Sequence, residues 1–262
     1  MMIRVYGLSD KGLVRERNED CLMVSGLFDR TMADVKISAA GVHFNDYGLL
    51  CAVADGMGGH RGGAYASKYT LELLSAKNII LSRAADAEGA STLLDEAVRD
   101  IHKEVMRVGK ENRQLAGMGT TLTGVYLRSG IAVYFHVGDS RLYRFRAGYL
   151  VQLTSDDSTE NRARQFTGQF NDAPKSGAIT DSIGGGTVCT PKTDRFSFQD
   201  HDQLLLCTDG LTDMIDLEII EEVLRTSLPV EQKARTLVEK AKAAGGHDNI
   251  TVILIGMERE PF

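Results

Sequence analysis

Aspartates placed where apolar runs end are the residues in this sequence best suited to chemistry. The run Leu49–Ala54 (LLCAVA) stops at Asp55-Gly56, AVYFHVG stops at Asp139, and QLLLCT stops at Asp209-Gly210. Asp248 stands just before the run ITVILI, and Glu19-Asp20 opens a strand after RERN. A single Asp-Gly step is a turn signal. Here, however, Asp55-Gly56 and Asp209-Gly210 lead towards helices, not into a partner strand at hairpin distance. Carboxylates at the ends of buried strands are held rigidly, as a metal site requires.

If these carboxylates converge, two charges about 4 Å apart repel by about 4 kcal/mol at an effective dielectric of about 20. Four or five together need counter-charge, and divalent cations supply it. An all-oxygen donor set without a Cys/His cluster favours Mg²⁺ or Mn²⁺ over Zn²⁺. Paired ions lower the pKa of a bound water and clamp the oxygens of a transferring phosphoryl group. Arg15, close before Asp20, offers a guanidinium fork suited to a phosphate dianion, whereas the neighbouring Arg17 reads as a solvated surface residue. The stretch Gly56–Gly63 (GMGGHRGG) has neither the GK[ST] ending of a P-loop nor the GxGxxG spacing, so it is a weak nucleotide cradle. Glycine lets a backbone carbonyl approach a cation closely, and Gly56 is the candidate for that role.

The elements that must position these residues follow from periodicity. The segment before Gly7, Cys21–Gly26 and Leu49–Ala54 read as strands. Apolar residues recur at helical spacing from Ala64 to about Ser82, and a second helix spans Ser91–Glu111 with Ser91 as its N-cap. The period then becomes strand-like over Thr121–Leu127, Ile131–Val137 and Arg141–Phe145, with hairpin turns at Ser129-Gly130 and Ala147-Gly148. Strands at Asp194–Phe198 and Gln203–Cys207, helices at Leu217–Arg225 and Val230–Ala244, and a final strand at Ile250–Gly256 complete the order. Antiparallel sheets covered by helix pairs account for it better than repeated βαβ units. Leu27–Tyr47 reads as a long insert, and the polar Ser155–Val188 as a mobile lid.

Composition narrows the function classes. The chain has 262 residues, 43% hydrophobic and 25% charged, within reach of one large domain that buries its own core. No 18-residue apolar stretch occurs, so no membrane insertion is expected, and the start MMIRVYGLSDKG lacks the apolar core of a secretory signal. Cys21, Cys51, Cys189 and Cys207 show no CxxC spacing, which fits a thiol-reducing, cytoplasmic setting. A net charge of −6 argues against nonspecific nucleic-acid binding.

Taken together, GLVRERNED (Gly12–Asp20), VADGMGGHRGG (Val53–Gly63), GMGTTLTG (Gly117–Gly124), HVGDSRLYR (His136–Arg144), LLLCTDGLTD (Leu204–Asp213) and GGHDNITVILI (Gly245–Ile255) resemble the bacterial branch of the protein phosphatase 2C-type, metal-dependent phosphatases. The motifs keep the family's order and span nearly the whole chain. The resemblance implies an α+β fold, a four-layer α-β-β-α sandwich over residues 1–262, with the insert at about 27–47 and a flap at about 155–188. It implies hydrolysis of phosphoserine and phosphothreonine in proteins, in opposition to a bacterial Ser/Thr kinase, by a cytoplasmic monomer. It also implies a binuclear Mn²⁺ or Mg²⁺ centre bridged by Asp55, with the Gly56 carbonyl, Asp209 and Asp248 completing the shells. It also implies that Asp20 binds directly or through water, with Glu19 and Asn249 in supporting positions. Asp139 and Asp209 match a third-ion site, and Arg15 matches the phosphate-binding arginine.

Three departures stand against that pattern. Met57 occupies the position where some members carry a histidine after Asp-Gly. The flap opens with Asp156-Asp157-Ser158 where Asp-His-Ser is common. The 27–47 insert exceeds the usual connection and reads as a partner surface. His60 is read as a structural residue. The competing readings are a catalytically silent member acting as a binding module, whose mark would be lost ligands, and a two-metal phosphodiesterase or nuclease.

Overall fold

A computed structural model describes residues 2–25, 27–29, 32–38, 48–58, 62–159, 161 and 178–258. In chain order the elements begin with strands β1 (Met2–Asp10), β2 (Cys21–Val24), β3 (Leu27–Asp29), β4 (Met32–Ser38), β5 (Leu49–Ala54) and the short β6 (Gly56–Met57). Helices α1 (Gly62–Ala76), α2 (Asn78–Leu81) and α3 (Ala87–Glu111) follow. Next come strands β7 (Gly119–Thr120), β8 (Leu122–Arg128), β9 (Ile131–Val137), β10 (Arg141–Arg146), β11 (Tyr149–Gln152), β12 (Lys192–Ser197) and β13 (Gln203–Cys207). Helices α4 (Asp209–Thr212), α5 (Leu217–Arg225) and α6 (Val230–Ala243) lead into the last strand, β14 (Ile250–Glu258).

Two six-stranded antiparallel sheets result, one in the order β11-β10-β13-β14-β1-β4 and the other β12-β9-β8-β5-β2-β3. Inner strands such as β5 (LLCAVA) and β13 (QLLLC) read as apolar runs because both faces of the sheet are covered there. Alternation along β13 sorts its residues: Leu204 and Leu206 join Ile253, Ile255, Val5, Leu22, Leu49 and Val53 in the core between the sheets. Leu205 and Cys207 point the other way, onto Ile220, Val223, Leu237 and Val238 of α5 and α6. On the far side Met23, Leu50 and Ala52 pack against Leu71 and Leu74 of α1 and Leu94, Val98 and Ile101 of α3. The layering is α-β-β-α, as the sequence implied.

The hairpin turns also hold. Ser129 and Gly130 take φ of 51° and 77°, and Ala147 and Gly148 take 51° and 86°. Positive φ at both central residues gives the turn that matches strand twist. Two readings need correction. Helix α3 begins earlier than expected: Asp86 is its N-cap, its side chain accepting from the Gly89 amide at 2.8 Å. Ser91 lies inside the helix and donates to Thr193 Oγ1 at 3.0 Å. The expected helix from Ala64 to Ser82 divides at Lys77 into α1 and α2. Within the 27–47 insert the described residues form two strands, β3 pairing with β2 and β4 with β1, adding an edge strand to each sheet; residues 30, 31 and 39–47 lie outside the described residues. The ends of the polar 155–188 stretch are anchored: Ser158 bridges Ile179, and Ile183 is fully buried and bridges Thr120. Residues 160 and 162–177 of that stretch lie outside the described residues.

Candidate metal centre

The aspartates sit at strand ends that meet at one edge of the two sheets, some before a strand and some after it. Asp55 follows β5, Asp209 opens α4 directly after β13, Asp248 precedes β14, Asp20 precedes β2, and Asp139 sits in the β9–β10 turn. Asp55 feels the charges of Asp20, Asp209, Asp139 and Asp248 together. A cleft of about 510 Å³ opens above them, lined by Arg15, Arg17, Glu19, Asp55, Asp209 and Asp248 among others.

Asp20 forms the floor. It is 1% exposed, and its Oδ2 accepts from Thr208 Oγ1 at 2.8 Å and from Thr251 Oγ1 at 2.7 Å. Those hydroxyls belong to the other sheet, where β13 and β14 pair, so one carboxylate ties the two sheets together. Ser9 extends the network to Thr251 at 2.7 Å, and Asn18 donates to Ser9 Oγ at 2.8 Å. The second oxygen, Oδ1, is buried with no hydrogen-bond partner. Asp139 Oδ1 and Asp209 Oδ1 are in the same condition. A buried polar atom left unpaired costs free energy, and each such atom in a folded protein calls for an explanation.

The electrostatics carry the same message. Burial pushes the Asp20 carboxyl up to about 7, against the opposing pull of its two threonine hydrogen bonds. Burial, then the charges of Asp209 and Asp156, pushes Asp139 up to about 7. Asp55 lies well above the usual carboxylate range, through burial first and the neighbouring aspartates second. Asp209 is raised by burial and by Asp213 and Asp248. The cluster is thus starved of positive charge, and its donors are hard oxygens suited to a hard divalent cation.

The rim differs. Arg15 Nε and Nη2 donate to Asp248 Oδ1 and Oδ2 at 2.8 and 2.6 Å, a bidentate pair in an exposed setting. The sequence assigned these residues to separate partners; the structure joins them. Among the described residues no three Asp, Glu, His or Cys side chains already close into a ligand cage. The carboxylates are near enough to perturb one another, as the shared charge effects on Asp55 show.

Backbone close approach fixes the remaining pieces. A Cβ on Gly56 would strike the Gly63 carbonyl, so the chain leaving β5 folds back onto the start of α1 only because both positions are glycine. Asn249 Oδ1 accepts from the Glu19 amide at 2.8 Å, and its Nδ2 donates to the carbonyls of Lys11 and Arg17 at 2.9 Å each. Asn249 therefore stitches the 11–19 loop to β14. Arg17, read as a surface residue, is exposed but lines the cleft. Met57 lines it too, and His60 lies outside the described residues.

A family profile for protein phosphatase 2C matches residues 38–245. The chain belongs to the protein phosphatase 2C family. It is 33% identical over 252 residues to the serine/threonine phosphatase Stp of Listeria monocytogenes, covering 94% of this chain and 93% of the relative. It is 35% identical over 215 residues to the protein phosphatase PhpP of Streptococcus pneumoniae, covering 80% and 87%. The serine/threonine phosphatase of S. agalactiae superposes with a TM-score of 0.84 at 28% identity, over 98% of this chain and 100% of that one. The catalytic domain of the phosphatase PstP, solved with two manganese ions, superposes with a TM-score of 0.77 at 31% identity, over 97% and 98%. This protein is a metal-dependent serine/threonine phosphatase. No described helix is long and apolar enough to cross a membrane.

Sequence reasoning missed Thr208, Thr251 and Ser9, which bind Asp20 or support the residues that do, and Asp213, raised by burial and by Asp248 and Asp156 against the opposing charge of Arg141. The signal for Thr208 and Thr251 was present: hydroxyls stand near the ends of otherwise apolar runs, in QLLLCT and NITVILI.

Proposed function

We propose that Asp20, Asp55, Asp209 and Asp248, with the Gly56 carbonyl, hold two Mn²⁺ or Mg²⁺ ions, and that Asp139 with Asp209 serves a third. The observation that carries this assignment is the trio of buried, unpartnered Oδ1 atoms on Asp20, Asp139 and Asp209. When bound, the cations supply an activated water and neutralise charge on the phosphoryl oxygens. The chain's own residues do the rest. Thr208 and Thr251 hold Asp20 in one orientation, as partners behind a ligand must. Asn249 keeps Glu19 and the 11–19 loop in place. Arg15 and Asp248 neutralise each other at the rim, and the Arg15 guanidinium, standing at the cleft mouth, would pair with the phosphoryl group.

Residues 1–262 act as one cytoplasmic catalytic unit, a monomer with residues 155–188 as a flap over the substrate. Its substrates are phosphoproteins that include a Ser/Thr kinase or that kinase's targets, and nucleic acid is not among them. The four buried free cysteines support a thiol-reducing compartment. Phosphate release from a phosphothreonine peptide with Mn²⁺, with and without chelator, tests the assignment. Activity is expected to vanish in chelator and to fall about a thousandfold in Asp55→Ala and Asp209→Ala. Undiminished activity in any of these would overturn it.

A further inference from the structure

Beneath the Asp139 turn lies a polar hub that the catalytic assignment does not use. Asp157 is 9% exposed. Its Oδ2 accepts from the Gly138 amide at 3.0 Å, and its own amide donates to the Gly138 carbonyl at 2.6 Å. Its Oδ1 accepts from Lys192 Nζ at 2.6 Å, and the same ammonium donates to the Ser155 carbonyl at 2.7 Å. Its carbonyl accepts from the Thr180 amide at 2.7 Å. One residue therefore holds the entering root of the flap, the returning root, β12 and the β9–β10 turn.

The turn passes the constraint on. Gly138 has a φ of 107°, a conformation open to glycine, and a Cβ there would meet Thr121 Cγ2 at 2.7 Å. Thr121 Oγ1 accepts from the Asp55 amide at 2.9 Å and bonds Ser140 Oγ at 2.7 Å. A continuous path of contacts runs from the flap roots through Asp157 and Gly138 to Thr121, and from there to Asp55.

We propose, building on the assignment of Asp139 above, that Asp157 is a positioning residue that couples the segments at 155–159 and 178–183 to the Asp139 turn, and so fixes where Asp139 stands.

Hydrogen exchange on the full metal-free chain reads this without substrate. In Asp157→Ala, exchange is expected to quicken at 138–140 and 178–183 together, with β5 and β8 unchanged. Asp157→Asn keeps an acceptor for the Gly138 amide and is expected to restore protection at 138–140. In the loaded enzyme Asp157→Ala should raise KM for a phosphothreonine peptide about tenfold, with a smaller change in kcat. Quickening confined to 155–159 would overturn the coupling. Quickening spread evenly through β5 and β8 would overturn it too, by making Asp157 a general prop of the fold. A wild-type chain that hydrolyses no phosphopeptide would sink the site assignment instead, and the exchange result would still decide the coupling.

Discussion

The floor and the rim of the cleft solve the same problem in opposite ways. On the floor, Asp20 is sealed from water and steadied by two neutral hydroxyls, which orient its carboxylate but do not cancel its charge. At the rim, Asp248 meets a full guanidinium charge in an exposed setting. Burial makes the floor expensive and the rim cheap. An exposed ion pair contributes up to about 1 kcal/mol, whereas a buried carboxylate short of positive charge shifts its pKa by several units. The floor is therefore built for a cation, and the rim is a pair that can be exchanged.

The largest expected effect falls where burial and crowding are greatest. Asp55→Ala and Asp209→Ala should each lower kcat/KM on a phosphopeptide by about a thousandfold, since cation stabilisation of a phosphoryl transition state is worth several kcal/mol. Steady-state kinetics over a Mn²⁺ series checks this. A loss no larger than that of a rim variant would break the contrast.

Titration sharpens it next. Asp20 and Asp139 have folded-state pKa values raised to about 7, against about 3.9 for an unfolded aspartate. Between these values the folded chain binds more protons than the unfolded one, so stability falls as pH rises from about 4 to about 7 and then levels. Chelated protein should melt at a higher temperature at pH 5 than at pH 8, and Mn²⁺ should restore the loss at pH 8. A melting temperature flat across that range would contradict the burial of uncompensated charge.

Thr208→Val comes third. It removes one hydroxyl from Asp20 at nearly constant volume, and loss of such a partner behind a ligand lowers metal affinity by about 10–100-fold. Calorimetry on that variant measures it. Arg15→Ala should have the smallest effect on stability, below about 1 kcal/mol, and should raise KM more than it lowers kcat. A large drop in melting temperature on removing Arg15 would mean that the rim is structural.

Much of this was legible in the sequence, for physical reasons. Strands buried on both faces print as unbroken apolar runs, and an aspartate ending such a run stands out, as Asp55, Asp139 and Asp209 do. Hairpins print as Ser129-Gly130 and Ala147-Gly148 because positive φ restricts which residues fit. The helix start at Asp86 was harder to read, since Ser91 is also a good capping residue and only the Gly89 amide decides between them. Strands β3 and β4 were hidden because they lie at the edges of the sheets among the described residues, and MADVKIS is less uniformly apolar than an inner run such as LLCAVA. The joining of Arg15 to Asp248 could not be read at all, because 233 positions separate them and only the fold brings them together.

The most direct test of the floor is a calorimetric titration of Mn²⁺ into metal-stripped protein at pH 7.5. The expected result is at least two ions per chain, with binding lost in Asp55→Ala and weakened in Asp20→Asn. Absence of binding at millimolar Mn²⁺, or undiminished binding in Asp55→Ala, would contradict a metal centre built from these aspartates.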